Sequence, residues 1–359
     1  MRRCRLILMQ ILVVGPQFPD SFARNISVTL QAMGHQVTNE NGTQVHHHGN
    51  RYWNAFWRSL HRGFPAVETW SFNALIRRAK AIRPELVLVT YGALPPQVVT
   101  KLRWECGAKV ACWFTDAISN LHRQYLLASP FDALFLKDAF MVRTFKEKLG
   151  LNAHYLPEAC NSQWHKRAEV TDRECAQYGC DVAGVGSFHF YRARMLEEFA
   201  GYDLKIWGNN CPPWVSSPIK NCYTRHYVAE DEKAKAYCSA KILINTIHYC
   251  EIEGVNCTLF EAAGCGAFQI ADWKPGLPEL FEPEREVVTF GTRQELKAKV
   301  DYYLAHPAQR QEIADRACAR AHREHTYELR LEKMFQILGL WTEDPMRAAN
   351  TQATLVSVS

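Results

Sequence analysis

At 359 residues the chain is long enough for two domains, each with a core of its own. Apolar residues at 47% and charged residues at 22% describe an ordinary globular enzyme. Thirteen cysteines are scattered with no C-x-x-C pair, which argues against a disulfide or metal framework and for small reduced hydrophobes in a cytosolic protein.

The net charge of +5 hides an asymmetry: residues 1–150 hold 19 Lys and Arg against 9 Asp and Glu, and residues 151–359 hold 23 against 28. The basic half suits an acidic partner, such as a phosphorylated lipid carrier, an anionic membrane surface, an acidic glycan or nucleic acid; a merely solvated basic surface is the plain alternative.

The opening MRRCRLILMQILVVG imitates a leader peptide, but its apolar run ends in Gly15-Pro16 without a small-residue cleavage site and reads as a first parallel strand. Met9 is an alternative start. No apolar stretch reaches the roughly 18 residues of a membrane span, so a soluble protein is expected.

Strand-like and helical runs then alternate, the signature of parallel α/β architecture. In the first half, strands are expected at Ile11–Val14, near Val37, at Leu86–Thr90, Lys109–Trp113 and Ala133–Leu136. Helices are expected at Ser21–Met33, Trp70–Ala81 and Pro95–Glu105. His46-His47-His48 has no carboxylate nearby and reads as an exposed loop. Arg51 to Phe64 interleaves aromatic and basic residues at near-helical spacing. It reads as a core-facing aromatic stripe with a basic solvent face, the alternatives being contact with acceptor rings or a membrane interface.

The second half repeats the plan, with strands near Asp181–Gly184, Leu204–Trp207, Lys241–Asn245, Ala267–Ala271 and Glu286–Phe290. Its helices are expected near Arg192–Phe199, Asp231–Cys238, Arg293–Ala305 and Ala308–Glu324. The expected division is an N-terminal Rossmann-like domain over 1–156, a connection over 157–179, a C-terminal Rossmann-like domain over 180–341 and a disordered tail over 342–359.

The most informative stretch is EIEGVNCTLFEAAGCGAFQIADWKPGLPELF, from Glu251 to Phe281. Glu253 and Glu261 flank a loop-to-helix transition, followed by small residues and a buried-looking strand. Small residues admit a ligand close to the backbone, a helix N-terminus offers N–H groups to phosphate, and a carboxylate accepts hydrogen bonds from sugar hydroxyls. The spacing alone also fits a solvated amphipathic helix.

With its surroundings the segment resembles GT-B glycosyltransferases of the CgeB-like family. The matching runs are FEAAGCGAFQIAD, LPELFEP, REVVTFGTRQEL, YYLAHPAQRQEIA and EHTYELR, with CWFTDA, LPEA, DVAGVGS and AKILIN upstream. The resemblance implies two Rossmann-like domains facing across a cleft, with ligands on the loops at the carboxyl ends of the strands. It implies transfer of a sugar from a nucleoside-diphosphate donor, a UDP-sugar first among them, without cofactor or divalent metal.

The resemblance also implies roles for residues. Glu261 accepts from ribose hydroxyls, and Glu253 lies nearer the donor sugar or phosphates. Asn256 caps the helix on the phosphate side. Thr258 stands where relatives commonly carry arginine, which puts donor affinity or identity in question. Arg192, after the turn Gly184-Val185-Gly186-Ser187, steadies the leaving diphosphate, with Arg194 as the alternative. Gly186, Ser187 and Gly15 shape the loops at the cleft, Gly15 giving it room. Asp116 is the general base of an inverting reaction, a positioning group in a retaining one, or simply a helix cap; the glutamate pair leans towards retention. His325-Thr326-Tyr327 and Arg330 are expected to pack the last helix across the domains.

Rival readings are a GT-B epimerase or phosphorylase, a non-catalytic nucleotide-sugar-binding protein, and a DNA-modifying glycosyltransferase. Nucleic acid is not the expected partner.

Overall fold

The computed structural model describes residues 8–41, 51–92, 94–121, 124–208, 211–215 and 217–340. The His46–His48 run and the tail after 340 lie outside them. The first parallel sheet comprises β1 (Gln10–Val14), β2 (Gln36–Glu40), β3 (Leu86–Val89), β4 (Lys109–Phe114), β5 (Ala133–Leu136) and β6 (Ala153–Tyr155), in the order β2-β1-β3-β4-β5-β6. The second comprises β7 (Cys180–Val185), β8 (Leu204–Trp207), β9 (Ala240–Asn245), β10 (Gln269–Asp272) and β11 (Val288–Phe290), in the order β11-β10-β9-β7-β8.

Helices α1 (Phe22–Ala32), α2 (Arg51–Gly63), α3 (Pro65–Ser71), α4 (Asn73–Ile82), α5 (Pro96–Cys106), α6 (Tyr125–Ala128) and α7 (Ala139–Leu149) belong to the first half. In the second half follow α8 (Asp172–Tyr178), α9 (Phe190–Leu196), α10 (Ser217–Cys222), α11 (Glu230–Ser239), α12 (Cys257–Gly264), α13 (Arg293–Ala305), α14 (Pro307–Glu324) and α15 (Tyr327–Leu338).

Apart from the polar edge strand β2, the strands are largely apolar runs because both faces of each sheet are covered. Alternation sends Leu12, Val14, Val87, Val89, Val110 and Leu134 to one face of the first sheet, under α4, α5 and α7. Ile11, Val13, Leu86, Leu88, Trp113 and Phe135 go to the other, beneath Ile26 and Leu30 of α1 and Leu331, Met334 and Phe335 of α15. Thus α15, expected in the C-terminal domain, completes the core of the N-terminal one. The EHTYELR segment makes the packing junction the sequence suggested: Cys160 N–H donates to the His325 carbonyl (2.9 Å), and Tyr327 N–H donates to the Cys160 carbonyl (3.1 Å). Arg330 donates to the Pro157 carbonyl (3.2 Å).

Three elements differ from the sequence expectation. The helix expected over Trp70–Ala81 is two helices, broken where the buried Phe72 leaves helical geometry. The connection read as irregular contains α8, started by a reciprocal Thr171–Glu174 capping box. The aromatic stripe expected to face the core instead exposes Trp53 and Phe56 of α2 and Phe64 just after it. The twelve described cysteines are free thiols, and no described helix is long and apolar enough to cross a membrane.

Candidate active site

The loops at the carboxyl ends of the two sheets meet in a cleft, the place where open parallel sheets bind ligands. On the C-terminal side, Asn256 caps α12 by accepting from Leu259 N–H (3.3 Å). Its side-chain amide donates to Asn245 Oδ1 (2.8 Å) and to the Thr246 carbonyl (3.3 Å). Arg192 reaches the same residue from α9, its Nε on Thr246 Oγ1 (2.9 Å) and its Nη2 on the Thr246 carbonyl (3.3 Å), while Nη1 holds the Ser187 carbonyl (2.7 Å). Thr246 therefore locks a guanidinium beside a helix N-terminus.

Gly186 makes this possible. Its φ is +109°, and a Cβ there would lie 2.6 Å from Arg192 Nη1, so only glycine suits both the backbone and the space. Arg192 is buried, and burial lowers its pKa. Yet it ion-pairs with no carboxylate among the described residues. Arg194, by contrast, is exposed and paired with Glu197 at 2.9 Å, which leaves Arg192 as the one of the two arginines that is buried beside α12. Thr258 lies in the first turn of α12.

Glu261 is buried on the inner face of α12, where its Oε2 accepts from Lys233 Nζ of α11 (2.9 Å) and Tyr237 Oη (3.5 Å). Lys233 also ion-pairs with Asp20, which comes across from the loop after β1. Asp20 takes a left-handed backbone, φ +64°, a conformation Asp tolerates better than most residues. Burial raises the Asp20 carboxyl, but Lys233 and His165 more than offset it and leave the pKa lowered. Burial alone would depress the Lys233 ammonium; Glu261 and Asp20 reverse this and hold it well above its ordinary value. His165 accepts from Asn161 N–H at Nδ1 (2.9 Å), which puts its proton on Nε2, 3.7 Å from Asp20. Asp20, His165 and Glu261 are close enough to share a cation, and the Lys233 ammonium lies on both carboxylates.

Glu253 turns towards the N-terminal domain, where Arg143 of α7 holds both its oxygens, at 2.6 and 3.0 Å. It lines a groove of about 220 Å³ with Tyr155, Gly276 and Glu279. Beside it, Asp138 joins the domains. One oxygen caps α7, accepting from Phe140 and Met141 N–H (2.9 and 3.3 Å). The other accepts from three successive N–H groups, Ile252, Glu253 and Gly254, at 2.9, 3.0 and 3.1 Å, a small anion-holding concavity. Gly254 permits this approach, since a Cβ would meet the Lys137 carbonyl at 3.1 Å.

Asp116 lines a second, small recess of about 20 Å³, together with Lys137, Asp138 and Glu251. Its Oδ1 accepts from Ala117 N–H (2.7 Å) and Asn120 Nδ2 (3.0 Å), so it does shape its own turn as well as face the cleft. The buried Lys137 pairs with Glu251 at 2.9 Å and lies 3.9 Å from Glu158. Gly15 is buried against Thr90, where a Cβ would clash with Oγ1; it packs the ends of β1 and β3 rather than opening the cleft.

The structure thus gathers Arg192, Gly186, Ser187 and Asn256 at one station, Glu261 at a second, and Glu253 and Asp116 at separate recesses. Sequence reasoning missed Asp20, Lys233, Lys137, Asp138, Glu158 and Thr246. Lys137-Asp138 following the apolar run ALFL, at the end of a strand, was the available signal. A lysine inside EDEKAKAYC gives none.

Residues 191–336 match a protein family described as glycosyl transferase-like. No curated protein matches the chain by sequence. Among solved structures, the chain is similar to HepE from Anabaena in complex with UDP-glucose, with 12% identity over 93% of this chain and 100% of that one and a TM-score of 0.64. It is similar to sucrose-phosphate synthase from Thermosynechococcus elongatus, at 13% identity over 98% and 100%, TM-score 0.63. It is also similar to a glycosyltransferase from Rickettsia africae, at 12% identity over 92% and 98%, TM-score 0.60. The chain has the GT-B fold of these glycosyltransferases, and its residues 191–336 are similar to the glycosyl transferase-like family.

Proposed function

We propose that the protein transfers a sugar from a nucleoside-diphosphate sugar to an acceptor hydroxyl, with retention at the anomeric carbon. Arg192 carries this reading: a buried guanidinium without a carboxylate partner, fixed beside the N-terminus of α12, calls for an anionic ligand such as a diphosphate. Glu261 then receives the ribose hydroxyls, held in place by the Lys233 ammonium on its Oε2. The motifs quoted above favour the CgeB-like branch. UDP-glucose, held by the HepE structure, is the first donor to test.

In the reaction the C1–oxygen bond to the diphosphate breaks as the acceptor oxygen bonds to C1. The nucleoside diphosphate leaves with the electron pair, its charge met by Arg192 and the helix N-terminus. The acceptor proton passes to the departing phosphate oxygen. Asp116, already engaged in its own turn, orients the acceptor rather than serving as the base. Positive charge comes from protein groups, so the scheme needs no divalent metal.

Thermal unfolding with UDP and UDP-sugars, with and without EDTA, tests this. At a hundredfold excess over Kd the wild type gains about 2.7 kcal/mol, a rise of a few degrees. Arg192→Ala and Glu261→Gln lose that gain, and turnover falls with it. No stabilisation by any nucleoside-diphosphate sugar would overturn the reading, and loss of turnover in EDTA would overturn its metal-free form.

A further inference from the structure

Helix α2 presents an apolar face that the fold leaves in water. Trp53 is 43% exposed and Phe56 51%, and none of the described α2 residues belongs to the buried core. The rings of Trp53 and Phe56 stack at 5.7 Å, and Trp57 meets them edge-on at 5.6 and 6.0 Å. At 3.6 residues per turn, positions 53, 56, 57 and 60 share an arc of roughly 100°. The same helix carries three arginines in sequence, at 51, 58 and 62. No carboxylate occurs between Glu40 and Glu68.

The helix also has a telling place. It leaves the carboxyl end of β2, and α3, which follows it, is tied through Glu68 to Tyr125 Oη (2.5 Å), just beyond the segment that begins at Asp116. Helix α3, and with it the end of α2, is thereby tied to the segment that follows Asp116 at the cleft.

We propose that this face is a membrane-docking surface: α2 lies in the interface of an anionic bilayer, its rings among the acyl chains and its arginines at the headgroups. An aromatic arc on a helix that also carries arginines is the pattern of a helix lying in that plane, and a segment without carboxylates in a basic half of the molecule matches a negative lipid surface in charge. Docking there brings the cleft to the bilayer, where a lipid-borne acceptor would be presented. The inference does not depend on the donor site, and its test uses no donor.

The full chain is sedimented with vesicles of phosphatidylglycerol and phosphatidylcholine, and with phosphatidylcholine alone, at low and high salt. The wild type binds the anionic vesicles, at least about tenfold more weakly when salt is raised or phosphatidylglycerol is omitted. Trp53→Ser combined with Phe56→Ser binds at least about tenfold more weakly than the wild type, with unchanged thermal unfolding because both rings are exposed. Failure of the wild type to bind anionic vesicles overturns the proposal, as does equal binding by the double variant or equal binding to phosphatidylcholine alone. Self-association that the double variant abolishes, without vesicle binding, assigns the face to a second copy and equally overturns it.

Discussion

Glu158 illustrates how one side chain can report on the whole cleft. Burial pushes its carboxyl up to about 7; Lys137 opposes the rise, and Glu261 and Glu251 add to it. Its folded pKa is above the ordinary 4.5, so its contribution to stability is full below about pH 4.5 and is lost as pH climbs to about 7. Glu158→Gln removes that slope. Relative to wild type, the variant is expected to gain on the order of 3 kcal/mol at most between pH 4.5 and 8, read by urea unfolding at the two ends of the range. A difference that does not change with pH would mean that Glu158 is ionised throughout. The contribution of Glu261 to that rise couples Glu158 to the station at α12.

At the scale of elements, α12 and α15 contrast in how openly the sequence declares them. The α12 region was legible because a cap, a small-residue helix and a strand follow one another in a single run, so Asn256, Glu261 and the fold of the C-terminal sheet could be anticipated. Asp20 was not, since a left-handed loop residue acquires meaning only through Lys233, more than two hundred positions away in sequence. The aromatic spacing of α2 was visible, but periodicity does not say whether an apolar arc meets a core or water. For α15 the closing EHTYELR run suggested packing across the domains, but not that the helix would seal a face of the first sheet. Phe335→Ala, emptying a fully buried site shared with β1 and β3, is expected to cost about 3–5 kcal/mol. Hydrogen exchange would locate the damage: amides of β1 and β3 lose protection, while those of β7 and β9 keep theirs. Loss confined to the C-terminal sheet would contradict the packing described.

For the molecule as a whole, the two domains are seamed by charge: Asp20–Lys233, Arg24–Glu230, Lys137–Glu251 and Arg143–Glu253. The Arg143 pair is solvent-exposed and contributes little by itself. The carboxylate of Asp138, with three N–H groups of the other domain on one oxygen, is the stronger clasp. Asp138→Asn removes the charge from that clasp, and exchange at the amides of 252–254 is expected to quicken by about tenfold or more. An unchanged rate would assign domain closure to the ion pairs instead. The return of α15 carries a further consequence, for synthesis on the ribosome. The sheet of the first domain is complete at Tyr155, but the helix that seals one of its faces begins only at Tyr327. At the usual pace of translation that face waits on the order of ten to thirty seconds. During that interval Ile11, Val13, Leu86 and Leu88 lack the helix that covers them, so the nascent first domain is a client for holding chaperones, and it becomes self-sufficient only when the far end of the second domain has been made.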